Sequence, residues 1–403
     1  MLNAIGEATI TNISTRFQIR ERQPASGRTL PSPMSEPMQK NLERAQALLA
    51  EEFLGVTTDG RVSPGLYQLQ KTGLSIDPIK NAANAFLSSL SPVQKASASF
   101  EVDDIAWRQW SNIHPFLMRH GAFLDELSPA QRDNAMAMLK ESLSPKGYQT
   151  ARDIMRLNES ILEITGKTDE YGEWLYWMSM MGTPSSDEPW GWQIDGHHLI
   201  VNCFMVNGQA VMTPIFMGSE PVDADAGKYA GTRVFHDEEH LGLVLAQSLS
   251  AEQRSKAVIS DELNGEVFTT AFRDNFELKY EGIPYSDLSS SQQGLMVSVI
   301  DTYVGRIRSD HAALRMDEVK RHLGETYFAW MGASDDDSIF YYRIHSPVIL
   351  IEFDHQRGVA LEADKPTRDH IHTVVRTPNG NDYGKDLLRQ HRENADASHG
   401  HRS

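Results

Sequence analysis

Helical and strand-like stretches are segregated along this chain rather than alternating, and that separation narrows the fold more than any single motif. From Met38 to about Thr168 apolar residues recur at helical spacing. Tyr171 to Met181 and Trp190 to Gly218 are then rich in aromatic and β-branched residues, broken by Gly182-Thr183-Pro184 and by Asn207-Gly208, a hairpin signal. Helical spacing returns from about His236 to Phe272 and from Ser289 to Leu323. Strands are expected again at Tyr327 to Met331, Ile339 to His345, Val348 to His355 and His370 to Arg376. Blocks of this kind predict an α+β fold: a helical N-terminal region, then a largely antiparallel mixed sheet with inserted helices. Neither strand group can bury its apolar face alone, so both are expected in one sheet.

The same pass predicts an arm or linker over residues 1–38, with a strand from Ala8 to Ile19 and a Pro/Ser/Gly-rich stretch from Gln23 to Pro37. A single large domain follows over 39–391, helical to about 168 and sheet-rich from 169, and the polar tail 392–403 is expected to be disordered. One short signature recurs in the helical blocks: Leu90-Ser91-Pro92-Val93-Gln94, Leu127-Ser128-Pro129-Ala130-Gln131, Leu249-Ser250-Ala251-Glu252-Gln253 and Leu288-Ser289-Ser290-Ser291-Gln292. Each reads as a capping box, Ser at the N-cap and Gln three residues on, with a Leu before it as a staple. Two carry Pro at the first helical position, where the missing N–H costs nothing. They mark helix starts, not a functional repeat.

Charge removes one class of partner. Lys plus Arg is 38 against 55 Asp plus Glu, a net charge of −17, and no basic stripe offsets it. Such a field repels phosphate backbones, so no nucleic-acid partner is expected. No apolar stretch approaches the ~18–20 residues needed to span a bilayer, and Met1 to Arg22 has no signal-peptide core, so no membrane association and a cytoplasmic location are expected. The single cysteine, Cys203, excludes an intramolecular disulfide and a thiolate metal cluster. Any metal must be held by His, Asp or Glu.

Such residues concentrate on the expected strands. Gly196-His197-His198 lies in the run Trp190 to Phe204, and Ile351-Glu352-Phe353-Asp354-His355 precedes Asp369-His370-Ile371-His372. Side chains alternate faces along a strand, so His370 and His372 share one face, as do Glu352 and Asp354. A hairpin of the two segments would bring imidazoles and carboxylates to one patch, the donor set of a Zn, Fe or Mn site or an acid–base centre. Adjacent His197 and His198 would point to opposite faces of a regular strand, so only one is expected to join. Trp190 and Trp192 share a face with His198; with Trp174, Tyr176 and Trp177 they read as core or as a pocket wall. Arg343 and Arg376 are the cations placed to anchor an acidic group, or else to neutralise Glu352 and Asp354. His236-Asp237-Glu238-Glu239-His240 matches the spacing of inverted zinc proteases, but an acidic first helical turn explains it as well.

Taken together, several motifs resemble a family of uncharacterised proteins catalogued as domain of unknown function 3500. They are Trp190-Gly191-Trp192 through Gly196-His197-His198-Leu199 and Asn202, Thr213-Pro214-Ile215-Phe216-Met217-Gly218, Tyr327-Phe328-Ala329-Trp330, and Tyr342-Arg343-Ile344. Glu352-Phe353-Asp354, His370-Ile371-His372, Arg376, Asn381-Asp382-Tyr383-Gly384 and His391 continue the series in order, and the similarity runs from about Gln39 to His391. The resemblance implies no activity. It implies that the His, Glu and Arg landmarks belong to the family pattern and that His236 and His240 do not.

The function expected from these residues is a metal-dependent enzyme, most simply a hydrolase, acting on a small anionic molecule. A divalent ion (Zn first, Fe or Mn as alternatives) would be held by His198 or His197 with His370 and His372. Glu352 would be fourth ligand or general base, and Arg343 and Arg376 the substrate anchors. The same ligands would serve a non-heme iron oxygenase or a metal-assisted lyase. A non-catalytic binding module with a structural histidine patch is the competing class, and homo-oligomerisation is left open.

Overall fold

In the computed structural model, residues 36–112 and 119–400 are described; the N-terminal strand expected at Ala8 to Ile19 lies outside them. After α1 (Glu36–Leu49), the chain runs through α2 (Asp77–Ser89), α3 (Pro92–Ala98), β1 (Ser99–Phe100), β2 (Ala122–Phe123), α4 (Pro129–Ser142) and α5 (Pro145–Thr165). It then enters β3 (Tyr176–Met181), β4 (Trp190–Gly196), β5 (Leu199–Val206), β6 (Gln209–Val211) and β7 (Ile215–Ser219). The same succession follows again: α6 (His236–Gln247), α7 (Ala251–Ala257), β8 (Val258–Ser260), β9 (Ile283–Pro284), α8 (Ser290–Val304) and α9 (Ser309–Arg321). β10 (Tyr327–Gly332), β11 (Phe340–His345), β12 (Leu350–Arg357), β13 (Pro366–Arg376) and α10 (Lys385–Gly400) complete it.

All strands belong to one sheet, with spine β1-β3-β4-β5-β7-β13-β12-β11-β10-β8 and with β2, β6 and β9 on β3, β5 and β10. Pairing is antiparallel except at the ends, where β1 runs parallel to β3 and β8 to β10. The α+β expectation and the joining of the two distant strand groups are both met. The order is a palindrome, and it exposes an internal duplication about a pseudo-dyad between β7 and β13. Ile215 pairs with Val375 across that axis, and in the helical layer Leu143 bridges Ile307.

The duplication accounts for the recurring Leu-Ser-x-x-Gln signature. All four are capping boxes, as expected, and they sit in pairs. Gln131 Nε2 donates to Gln94 Oε1 at 2.9 Å in one half, and Gln253 Nε2 to Gln292 Oε1 at 2.9 Å in the other. Gly121 and Gly282 are a second such pair. Both have φ near +100° (100° and 95°), and a Cβ on either would strike the carbonyl oxygen of Met178 or Phe328, at 2.7 and 2.1 Å. Only glycine allows that approach. The signature is therefore a structural repeat, legible as helix starts but not, from four short matches, as a doubled fold.

The helices cover one face of the sheet, burying Trp190, Trp192, Phe340, Tyr342, Phe353 and Ile371 among other apolar side chains. The opposite face carries the histidines and is closed by residues 261–282, by Trp107 and Trp110, and by Tyr383 and the start of α10. Helix had been expected as far as Phe272, but it ends at Ala257. Val258 to Ser260 pair with β10, and the following residues form an irregular strap held by side-chain bonds rather than by a backbone ladder. The last helix extends into the polar tail. It continues α10 to Gly400, and Arg389 bonds Asp386 and Glu393 one turn to either side.

Candidate metal centre

His197 and His198 are not strand residues, contrary to the expectation of opposite faces. They form the two-residue turn between β4 and β5, and His198 adopts a left-handed φ of 63°. The turn swings His198 onto the strap-side face of β13, where it meets His370 and His372. The three Nε2 atoms lie 3.0–3.2 Å from one another: His370–His372 at 3.0 Å, His198–His372 at 3.1 Å and His198–His370 at 3.2 Å. Three nitrogens bound at ~2.0–2.1 Å would be ~3.3 Å apart around a tetrahedral ion and ~3.0 Å apart on an octahedral face, so the triangle has the size of a metal-binding face. Among the described residues, these histidines alone group three ligand atoms within 4.8 Å.

Neighbouring groups set the orientation of the rings. His370 Nδ1 is 2.7 Å from the Arg357 carbonyl oxygen, and His372 Nδ1 is 2.9 Å from Glu266 Oε1 on the strap. A carbonyl and a carboxylate only accept, so both Nδ1 atoms carry hydrogen, and the Nε2 atoms are the ones turned inward. Burial, with the neighbouring His372, holds the His370 imidazole well below its ordinary pKa, so it is neutral. Room for the rings comes from Gly218 on β7, opposite His372. A Cβ there would lie 2.8 Å from His372 Cδ2 and 3.0 Å from His198 Cδ2.

His197 stands beside the triad without joining it. Its ring stacks on that of His198 at 3.8 Å, and its Nδ1 is 2.9 Å from Asn158 Oδ1. Trp190 and Trp192 do not wall the site; they pack under the helices, and Phe216 is the ring against His372, at 5.0 Å. His236 bonds Asp223 at the surface while Glu239 bonds His355 and Arg368, so the inverted-protease spacing gathers no ligand set.

The carboxylates and cations singled out in the sequence lie on the same face but have separate partners. Glu352 accepts from the backbone N–H of Phe268 at 2.7 Å and of Thr269 at 3.0 Å, from the Thr269 hydroxyl, and from Tyr341 at 2.8 Å. Arg376 donates to the carbonyls of Thr269 and Thr270, to Asp274 at 2.8 Å and to Asp382 at 3.1 Å. Both hold the strap. Arg343 donates to Glu281 at 2.7 Å, while its Nε and Nη1 are buried with no hydrogen-bond partner among the described residues. Glu220, 3.6 Å from His370 Nδ1, accepts from the amides of Val359, Ala360 and Leu361. Asp354 sits directly across the ladder from His372; burial, then Glu266 and Glu352, push its pKa well above the usual carboxylate range.

Glu266 and Gly218 were not recognised in the sequence as parts of the site. Gly218 carried a signal, a glycine inside a strand where another group approaches closely. Glu266 lies in an irregular segment, and nothing in its surroundings marks it. No helix among the described residues is long and apolar enough to cross a membrane. The family model described as protein of unknown function (DUF3500) matches residues 72–385. Neither the curated proteins nor the solved structures contain a match. The chain belongs to the DUF3500 family.

Proposed function

We propose that this DUF3500 protein is a metal-dependent hydrolase of a small anionic molecule, its divalent ion held by His198, His370 and His372. One observation carries the reading: the Nε2 atoms of two imidazoles whose outer N–H groups face acceptors point at each other across 3.0 Å. Two lone pairs at that distance repel unless a proton or a metal cation lies between them, and a divalent ion satisfies all three nitrogens at once. Three histidine ligands would leave coordination positions open, the pattern of catalytic rather than structural zinc. A divalent ion there supplies Lewis acidity and lowers the pKa of water toward ~7.

The chain's own residues supply orientation and binding. Glu266 and the Arg357 carbonyl fix the rings, and Gly218 admits them. We assign Glu352 and Arg376 to holding the strap, since each is already engaged by several partners. Arg343, with two buried nitrogens that have no hydrogen-bond partner among the described residues, is the one of the two arginines assigned to an acidic substrate group. The test uses untagged protein, stripped with chelator and reloaded separately with Zn, Fe(II) and Mn, against anionic esters, amides and phosphoesters. Hydrolysis that requires metal and disappears in His370→Ala and His372→Ala supports the assignment. Turnover that survives in both variants, or none with any metal, rejects it.

A further inference from the structure

We propose that the cavity beneath α9 is a second binding site, for a carboxylic acid with an apolar body, separate from the three-histidine cluster. The cavity measures about 530 Å³, within the ~300–1,000 Å³ of small-molecule sites. Met212, Ile215, Val304, Ile307, Ile349 and Val375 form its apolar floor on the helix-covered face of the sheet, opposite to the histidines. The doubled fold supplies an internal comparison. Ser144 N–H donates to the Arg306 carbonyl at 2.9 Å and Arg308 N–H to the Ser142 carbonyl at 3.0 Å, so α5 and α9 leave the pseudo-dyad as mates. Three residues past Ser144 comes Gly147, where a Cβ would fall 2.1 Å from the Arg306 carbonyl oxygen. That close approach lets α5 bury Ile154, Met155, Leu157, Ile161 and Leu162. Three residues past Arg308 comes His311, whose Nε2 bonds the Gly208 carbonyl at 3.0 Å. With an imidazole in that place α9 buries only His311, Met316 and Val319, and the space that its mate fills stays open.

The walls are fixed by specific bonds. Residues 65–70 close one side: Gln209 accepts from the Gln70 amide at 2.7 Å and donates to the Gln68 carbonyl at 3.0 Å, and Tyr67 donates to the Pro378 carbonyl at 2.6 Å. On the other side α9 turns Leu314, Arg315, Glu318 and Arg321 to the cavity, at the three- and four-residue spacing of one helix face. Leu314 is 39 % exposed, an apolar side chain at the mouth. Arg315 is held in place from Nη2, by the Val348 carbonyl at 2.7 Å and the Thr377 hydroxyl at 3.1 Å. Its Nη1 donates to Glu318, a partly exposed partner one turn on, and ion pairs of that kind are weak. A ligand carboxylate can therefore displace Glu318 and take the guanidinium fork, while its apolar body covers the aliphatic floor.

Calorimetry of the full chain with octanoate and phenylbutanoate, each beside its amide, tests this. At least one of the two acids should saturate at one per chain and bind ~10-fold or more tighter than its amide. Glu318→Gln removes the competing carboxylate and should tighten the acid ~3-fold or more, whereas Arg315→Gln should weaken it ~10-fold and change the amide by less than ~3-fold. Leu314→Trp, at the exposed mouth, should weaken acid and amide alike. His372→Ala should leave every affinity unchanged; a loss there would place the ligand at the histidines and overturn the site. No saturable binding of either acid below ~1 mM, or an acid affinity that is the same in wild type, Glu318→Gln and Arg315→Gln, also overturns it and leaves the metal reading untouched. Should Arg315→Gln not fold, Glu318→Gln decides alone.

Discussion

Gly218→Ala isolates the fit of the rings from the chemistry of the ligands. Gly218 does not have a left-handed backbone, so alanine adds no conformational strain and only its methyl group matters. That methyl carbon would lie 2.8 Å from His372 Cδ2, 2.8 Å from the Ile371 carbonyl oxygen and 3.0 Å from His198 Cδ2. Ordinary carbon contacts are ~3.5–4.0 Å, so each ring must retreat by roughly 0.5–1 Å. Metal–nitrogen bonds tolerate only ~0.2 Å. Two of three ligands are therefore displaced beyond tolerance, and Zn affinity should fall ~10–100-fold, about 1.4–2.8 kcal/mol. Crowding should also lower the stability of metal-free protein by ~1–3 kcal/mol. Chelator competition gives the first quantity and denaturant unfolding of stripped protein the second. Lost stability with unchanged Zn affinity would refute the reasoning, because rings moved that far cannot still be the ligands.

Four further outcomes follow from the same geometry. His370→Ala and His372→Ala should abolish metal binding with modest loss of stability, whereas Ile371→Ala, on the helix-covered face, should cost ~2–5 kcal/mol and keep the metal; the reverse pattern in melting and metal assays would mean the faces are misassigned. Arg376→Lys should lower stability by ~3–5 kcal/mol, since it breaks a buried network with Asp274 and Asp382, and an unshifted melting temperature would count against the strap assignment. Glu266→Gln should weaken metal binding ~10–100-fold with little effect on metal-free stability; equal affinity would show that the His372 orientation is set elsewhere. Burial and Arg343 lower the His345 pKa to about 3, so the folded chain keeps it neutral while the unfolded chain protonates it below ~6.5. This contribution is therefore complete above pH ~6.5 and falls at up to ~1.4 kcal/mol per unit on acidification toward 3; denaturation from pH 6 to 4.5 should show one proton less in the slope for His345→Gln.

What was legible in the sequence followed regular periodicity. The strand blocks at Tyr327 and beyond, the turn at Asn207-Gly208 (φ 52° and 77°) and the shared face of His370 and His372 are local, alternating patterns. His198 was legible as a candidate ligand for a different reason from the one the fold uses, since a two-residue turn aims it where a continuous strand would not. Glu352, Arg343 and Arg376 read as chemistry because a charge continuing an apolar strand is costly unless paired. For Glu352 and Arg376 the partners sit in the strap, an irregular segment whose path no period reveals. The pseudo-dyad left only its helix caps in the sequence.

The central claim is tested most directly by metal analysis of untagged protein together with X-ray absorption at the bound metal's edge. The account predicts close to one divalent ion per chain and a first shell containing three imidazoles, reduced to no bound ion in His372→Ala. A chain that stays metal-free after loading with Zn, Fe(II) and Mn, or an ion whose shell lacks those imidazoles, would contradict it.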